Sequence, residues 1–236
     1  MPKPELTEGQ IELARSLYDA GAVKLQQDGE EGFRMKIHDT EPDRPLSPIF
    51  LQIRTKEHSS HGEGPLTENE VNQIGAELYD LIERAGVAYE HVAGIPEAAV
   101  PFADAFVEVS ETRGEGDSKL IMHKEGDVAD GSRRITNRVD GDYSPGESAL
   151  LIDDLITHAT TKLEAVAALR NNGLYVDALA VVVDREQGGV QEMSRAGVET
   201  HAVFTLTQLL DLYLDEERIT PEMRQKIDDY LRADSR

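Results

Sequence analysis

The chain contains no cysteine, which excludes a disulfide framework and any thiolate metal site. No apolar stretch approaches the length of a membrane span, and the first residues lack the apolar segment of a secretory signal. The expectation is a soluble, cytoplasmic protein with no membrane partner. Bases are scarce: 24 against 46 acids, for a formal charge of −22, and only 8 of the 24 are lysine. Such a surface repels phosphate backbones and excludes nonspecific nucleic-acid binding. Acid excess with few lysines and few aromatics fits a high-salt cytoplasm, and fits an ordinary acidic protein equally well. An anionic ligand would need a local positive patch within this negative field.

At 236 residues the chain has the length of one domain with a small appendage and can bury a sizeable core. Thr7 and Gln10 form a capping-box pattern ahead of the stripe Ile11, Ala14, Leu17 and Tyr18, so a helix spans Thr7 to Ala20. Thr67 and Glu70 repeat the pattern ahead of Val71, Ile74, Leu78 and Leu81, with Gly86 to close the helix. Residues 22 to 54 read as short strands and loops. Strand signals follow at Glu90 to Ala93, Lys119 to His123, Ala149 to Ile152, Val176 to Val183 and Thr200 to Phe204. Helices are expected near Ala98 to Val107, from Thr160 to Asn171, and from Pro221 to about Leu231. Alternating strands and helices imply an α/β fold with a mostly parallel sheet. Lys124 to Gly146 is the exception, polar and without helical or strand period, and reads as a long loop serving as a lid.

Leu150 to Thr161 carries the most chemistry. An apolar strand without alternation suits burial on both faces. Two acids, Asp153 and Asp154, follow where the strand is expected to leave its sheet, the edge at which open α/β sheets bind ligands. Thr157, His158, Ala159, Thr160 and Thr161 then lead into a helix N-terminus, whose N–H groups suit an anion. Carboxylates beside a phosphate cradle suit a sugar phosphate. As solvated strand-end residues the acids would need no such loop behind them. His58, His61, His91 and His158 have no metal-ligand spacing, and His58 and His61, in a Ser/Gly-rich loop, read as solvated. No nucleophilic triad and no dinucleotide-binding glycine pattern occurs.

This run resembles the phosphoribosyl-pyrophosphate (PRPP) motif of type I phosphoribosyltransferases. Val181 to Gly189 (Val-Val-Val-Asp-Arg-Glu-Gln-Gly-Gly), His201 to Leu210, Leu17 to Lys24 and Leu46 to Arg54 are similar to the orotate phosphoribosyltransferase branch. The resemblance runs from about residue 11 to residue 231. It implies a single domain over residues 1–236, with a hood and base-binding part to about residue 60. A PRPP-binding core with a flexible lid over 124–146 completes it. It implies that Asp153 and Asp154 bind ribose and that Thr157 to Thr161 hold the 5′-phosphate. The turn containing Glu97 and Ala98 meets pyrophosphate, and Arg185, Phe50, Lys36 and Thr157 meet orotate. Lys124, within His123-Lys124-Glu125, enters the catalytic loop, and Lys36 reaches the reaction centre. Mg²⁺ would bind through PRPP and not through protein ligands, and a homodimer would share the lid across its interface.

The chain departs from the family pattern at three places. Glu97 and Ala98 stand where a base is common, Asp127 where a further lysine is usual, and Ala159 where glycine is usual. Arg133, Arg134 and Arg138 are the bases available to replace that charge. The implied activity is transfer of phosphoribosyl to orotate, giving orotidine monophosphate and pyrophosphate. Two other readings stand beside it: a PRPP-sensing protein without turnover, and a transferase for another base.

Overall fold

A computed structural model describes residues 5–35, 38, 41–58, 64–126 and 133–234. Five apolar strands pair in parallel: β3 (His91–Gly94), β4 (Ser118–Glu125), β6 (Ser148–Ile156), β7 (Tyr175–Asp184) and β8 (Glu199–Thr205). A sixth, β5 (Arg134–Asp140), lies antiparallel on β4, and the spatial order is β5-β4-β3-β6-β7-β8. Two short strands, β1 (Val23–Leu25) and β2 (Ile49–Leu51), form a separate antiparallel ribbon. The fold is therefore α/β, with a mostly parallel sheet covered by helices.

The pleat sorts the core into two halves, because alternate residues of a strand face opposite sides. Leu150 and Ile152 of β6 pack with Ala180 and Val182 of β7 under α1 (Glu8–Asp19), α2 (Glu68–Ala85), α3 (Val100–Arg113) and α6 (Leu206–Asp215). Leu151 of β6, with Leu179 and Val181, packs under α4 (Thr160–Asn171) and α5 (Gly189–Arg195). A last helix, α7 (Pro221–Asp234), adds Ile227 to the first half. The β1–β2 ribbon has no core of its own, since Val23, Ile49 and Leu51 belong to that same half.

Both expected capping boxes form. Thr67 and Glu70 start α2, and Gly86 ends it at φ 66°, a left-handed conformation that favours glycine. Burial alone would raise the Glu70 carboxyl. Four hydrogen bonds, from Thr67 N–H and Oγ1, Asn69 Nδ2 and Ser16 Oγ, outweigh it and hold the group down at about 2.

Three elements lie outside the sequence expectation. Arg134–Asp140, within the expected loop, is strand β5; it is an edge strand with most side chains partly exposed, so no apolar period marks it. Helix α5 has only seven residues. Helix α6 did carry a signal, the Thr205–Gln208 capping box, which the structure forms.

The strand order explains where a site can form. From β3 the chain moves through α3 to β4 on one side, then returns to place β6 on the other. Connections diverge between β3 and β6, and the crevice beyond their carboxyl ends is the topological switch point.

Candidate active site

At the end of β3, Gly94 opens the turn into α3. A Cβ there would lie 2.7 Å from Ala99 O, so only glycine allows the chain to fold back so closely. The Ile95 N–H bonds Ile152 O at 2.9 Å and ties this turn to β6. Ala98 is buried and Glu97 exposed. Glu97 pairs with Arg133, whose Nη1 lies 3.3 Å from Glu97 Oε2.

Strand β6 continues to Ile156, two residues past the acids. Asp153 pairs in register with Val181, and Leu155 with Val183. The acids are therefore not solvated strand-end residues; they are 4% and 5% exposed. Being adjacent in a strand, they face opposite sides of the sheet. Asp153 faces α4, where its Oδ2 lies 2.8 Å from Lys162 Nζ, and its Oδ1 accepts the Asp154 N–H at 2.9 Å. Asp154 Oδ2 lies 3.4 Å from Arg54 Nε, and its Oδ1 accepts the Leu155 N–H at 2.7 Å. Burial pushes the Asp153 carboxyl up to about 6, against the opposing pull of the Lys162 ammonium.

Lys124 lies on β4 and is partly buried. Burial lowers its pKa most; Asp153 pulls it up, while Arg133, Arg54 and Lys162 push it down. Lys124 thus lies on a paired strand, within electrostatic reach of Asp153. Of Arg133, Arg134 and Arg138, the first acts on Lys124 and pairs with Glu97. Arg134 lies 3.3 Å from Glu164 on α4, and Arg138 pairs with Asp140, which also meets His123 at 2.8 Å. Asp127 lies outside the described residues.

The loop of Thr157, His158 and Ala159 enters α4. Ala159 has φ −89°, so its methyl fits where glycine was the family expectation, and it packs fully buried against the α4 side of the core. Its N–H donates to Glu192 Oε2 at 2.8 Å, so the cradle already accommodates a carboxylate from α5. His158 and Thr160 are exposed, and Thr161 is intermediate. Gly189 presses on the loop: a Cβ would come within 2.8 Å of Thr157 O, and its N–H bonds that oxygen at 3.0 Å.

Arg185 follows β7, with its N–H on Ile156 O at 2.9 Å, and is 2% exposed. The turn is fastened by its own acids. Asp184 Oδ1 accepts the Glu186 N–H at 2.8 Å, and Glu186 Oε2 accepts the Thr207 N–H at 2.8 Å. Phe50, on β2, stacks on Phe33 with centroids 5.8 Å apart. Lys36 and His61 lie outside the described residues. His91 is buried on β3, with Nε2 2.9 Å from Glu147.

Sequence reasoning passed over Lys162, Arg54 and Glu192. Lys162 had a signal. It stands three, four and seven residues before Ala165, Val166 and Leu169, all buried, so it occupies the apolar stripe of α4. Among the described residues, no group of three or more His, Asp or Glu is placed to hold a metal, and no helix is long and apolar enough to cross a membrane.

No family model matches the chain. It is 32% identical over 145 residues to the orotate phosphoribosyltransferase of Halobacterium salinarum, covering 60% of this chain and 73% of that one. It is 26% identical over 190 residues to the bovine uridine 5′-monophosphate synthase, covering 80% of this chain and 36% of that longer protein. The solved structure of Leishmania donovani UMP synthase superposes with a TM-score of 0.71 at 25% identity, over 95% of this chain and 42% of that one.

Proposed function

Because the chain belongs to the orotate phosphoribosyltransferase family, we propose that it transfers the phosphoribosyl group of PRPP to orotate in pyrimidine biosynthesis. The products are orotidine 5′-monophosphate and pyrophosphate. The observation that carries this reading is the acid pair at the switch point, with a cation on each face of the sheet and a helix-entry loop behind it.

The reaction breaks the bond from ribose C1 to pyrophosphate oxygen, whose electron pair leaves with the oxygen. A ring nitrogen of orotate bonds to C1 and gives up its proton, which ends on the departing pyrophosphate or in solvent. Positive charge develops on the sugar and negative charge on the leaving group, so fixed charges contribute more than proton transfer. Asp153 and Asp154 accept hydrogen bonds from the ribose hydroxyls and stabilise the sugar as it becomes positive. The N–H groups and hydroxyls of residues 157–161 take the 5′-phosphate, which replaces Glu192 at the Ala159 N–H. Lys124 and Arg133 face the pyrophosphate beside the turn of residues 94–99, where Glu97 and Ala98 supply no positive charge. Arg185 forks onto the orotate carboxylate, with Lys36, Phe50 and Thr157 around the base. Holding both substrates in line supplies much of the rate.

Hard oxygen donors at the acid pair fit Mg²⁺, and each carboxylate already has a cationic partner. The fit is therefore to an ion carried on PRPP oxygens, with Asp153 and Asp154 beside it. When bound, Mg²⁺ would neutralise charge on the leaving pyrophosphate. We further propose a cytoplasmic homodimer whose lid is shared between subunits.

The test is loss of orotate absorbance on adding PRPP and Mg²⁺, with pyrophosphate released in equal amount. Orotate and PRPP that bind without turnover would overturn the reading. Arg185→Ala is expected to weaken orotate by about 2–5 kcal/mol with little change for PRPP. Equal weakening of both would make Arg185 structural.

A further inference from the structure

Lysine is rarely buried unless paired. Lys162 is 8% exposed, in the first turn of α4, and the stripe it shares there is otherwise alanine, valine and leucine. A cation near a helix N-terminus also opposes the helix dipole. Apolar packing does not require an ammonium at this position. What it meets is Asp153, at 2.8 Å.

We propose that Lys162 is a positioning residue that holds the Asp153 carboxylate ionised and in one orientation for the ribose hydroxyls. The inference rests on the reading of this crevice as a PRPP site. Asp153 has its two oxygens engaged differently. Oδ1 takes the Asp154 N–H and Oδ2 takes Lys162 Nζ, which fixes the plane of the carboxylate. A carboxylate has about four lone-pair sites, so acceptor capacity remains on both oxygens for a sugar.

The charged groups around Asp153 come from every neighbouring element. Asp154 lies on its own strand, Lys162 on α4 and Lys124 on β4. Arg54, after β2, and Arg133, before β5, act on the same cluster, with Arg133 balanced by Glu97. Burial and Asp154 both favour the protonated form of Asp153; Lys162 is the strongest opposing group. Without it, Asp153 would take up a proton at higher pH and lose strength as an acceptor. The Asp153–Lys162 pair also leaves the site less negative for a multiply charged ligand.

The experiment is calorimetric titration of the full chain with PRPP and Mg²⁺ between pH 6 and 9, for wild type, Lys162→Gln and Lys162→Arg. Lys162→Gln is expected to bind at least tenfold more weakly at pH 7 and to regain most of that affinity at pH 9. Lys162→Arg is expected to keep the wild-type profile, and orotate affinity is expected to stay unchanged in both. A folded Lys162→Gln with the wild-type profile would overturn the proposal. So would a loss of equal size at every pH, the mark of a purely structural role. Wild type that fails to bind PRPP at any pH would instead sink the functional reading. If Lys162→Gln does not fold, the ¹³C-labelled Asp153 carboxyl decides, compared in wild type and Lys162→Arg. A carboxylate ionised at pH 7 in both supports the proposal, and a protonated one in wild type overturns it.

Discussion

Asp153 faces α4 and meets Lys162 in a pair whose side chains are 5% and 11% exposed. Asp154, one residue on, faces the other side of the sheet and meets Arg54, whose side chain keeps 35% of its surface exposed. The same carboxylate thus occupies two electrostatic settings, separated only by the pleat of β6. On the α4 side water is nearly excluded, and each charge depends on its partner. On the other side Asp154 is just as buried, and only the Arg54 end of the pair reaches water and can be solvated if its partner is lost. The difference teaches that adjacent acids on one strand need not be equivalent in what each contributes to stability.

The largest effect that tests this difference is expected from Asp153→Ala, which leaves Lys162 buried and unpaired. Urea unfolding is expected to show a loss of about 3–5 kcal/mol. A double variant, Asp153→Leu with Lys162→Met, is expected to recover most of that stability while losing PRPP binding. A cost for Asp153→Ala as small as that for Asp154→Ala would erase the distinction.

Glu70 sharpens the comparison, since hydrogen bonds and not a cation hold its carboxylate. Glu70→Ala is expected to cost about 1–2 kcal/mol, the range for losing a helix cap. The pH dependence follows from its depressed value. Stability from Glu70 is complete above the ordinary value of 4.5 and is lost as pH falls toward about 2. Acid unfolding of wild type and Glu70→Gln, compared between pH 5 and 2, checks this. Identical acid limbs would mean that the carboxylate adds nothing.

The smallest effect is expected at Arg54. Its ion pair with Asp154 is long, at 3.4 Å, and open to water at the Arg54 end, and Asp154 keeps the Leu155 N–H, so Arg54→Ala is expected to change folding stability by only about 0–1 kcal/mol. A loss approaching that of Asp153→Ala would show that both faces are equally sealed.

Much of the fold was legible because period and caps agree. Strands β3, β4, β6, β7 and β8 and helices α1, α2 and α4 follow apolar runs or capping boxes. Strand β5 was not legible, because an edge strand with mostly partly exposed side chains carries no burial pattern. The acid pair and its loop could be read from residues 150–161, but not their surroundings. That Asp153 and Asp154 lie inside a paired strand depends on β7 extending to Asp184. Arg54 reaches Asp154 across a separation of 100 residues, which no local pattern encodes. Lys162 was the exception, a lysine on a buried stripe that periodicity alone exposes. The tolerance of Ala159 rests on a negative φ, and its N–H meets Glu192 from a helix too short to leave a clear pattern.

The central claim is that this acid pair is the ribose site, and Asp154→Asn tests it most directly because that change leaves the buried Lys162 pair intact. PRPP with Mg²⁺ is titrated into wild type and Asp154→Asn by calorimetry, with melting temperature recorded for both. The account predicts a loss of at least about tenfold in affinity, about 1.4 kcal/mol, with the melting temperature nearly unchanged. Asp154→Asn that binds PRPP as tightly as wild type would contradict it.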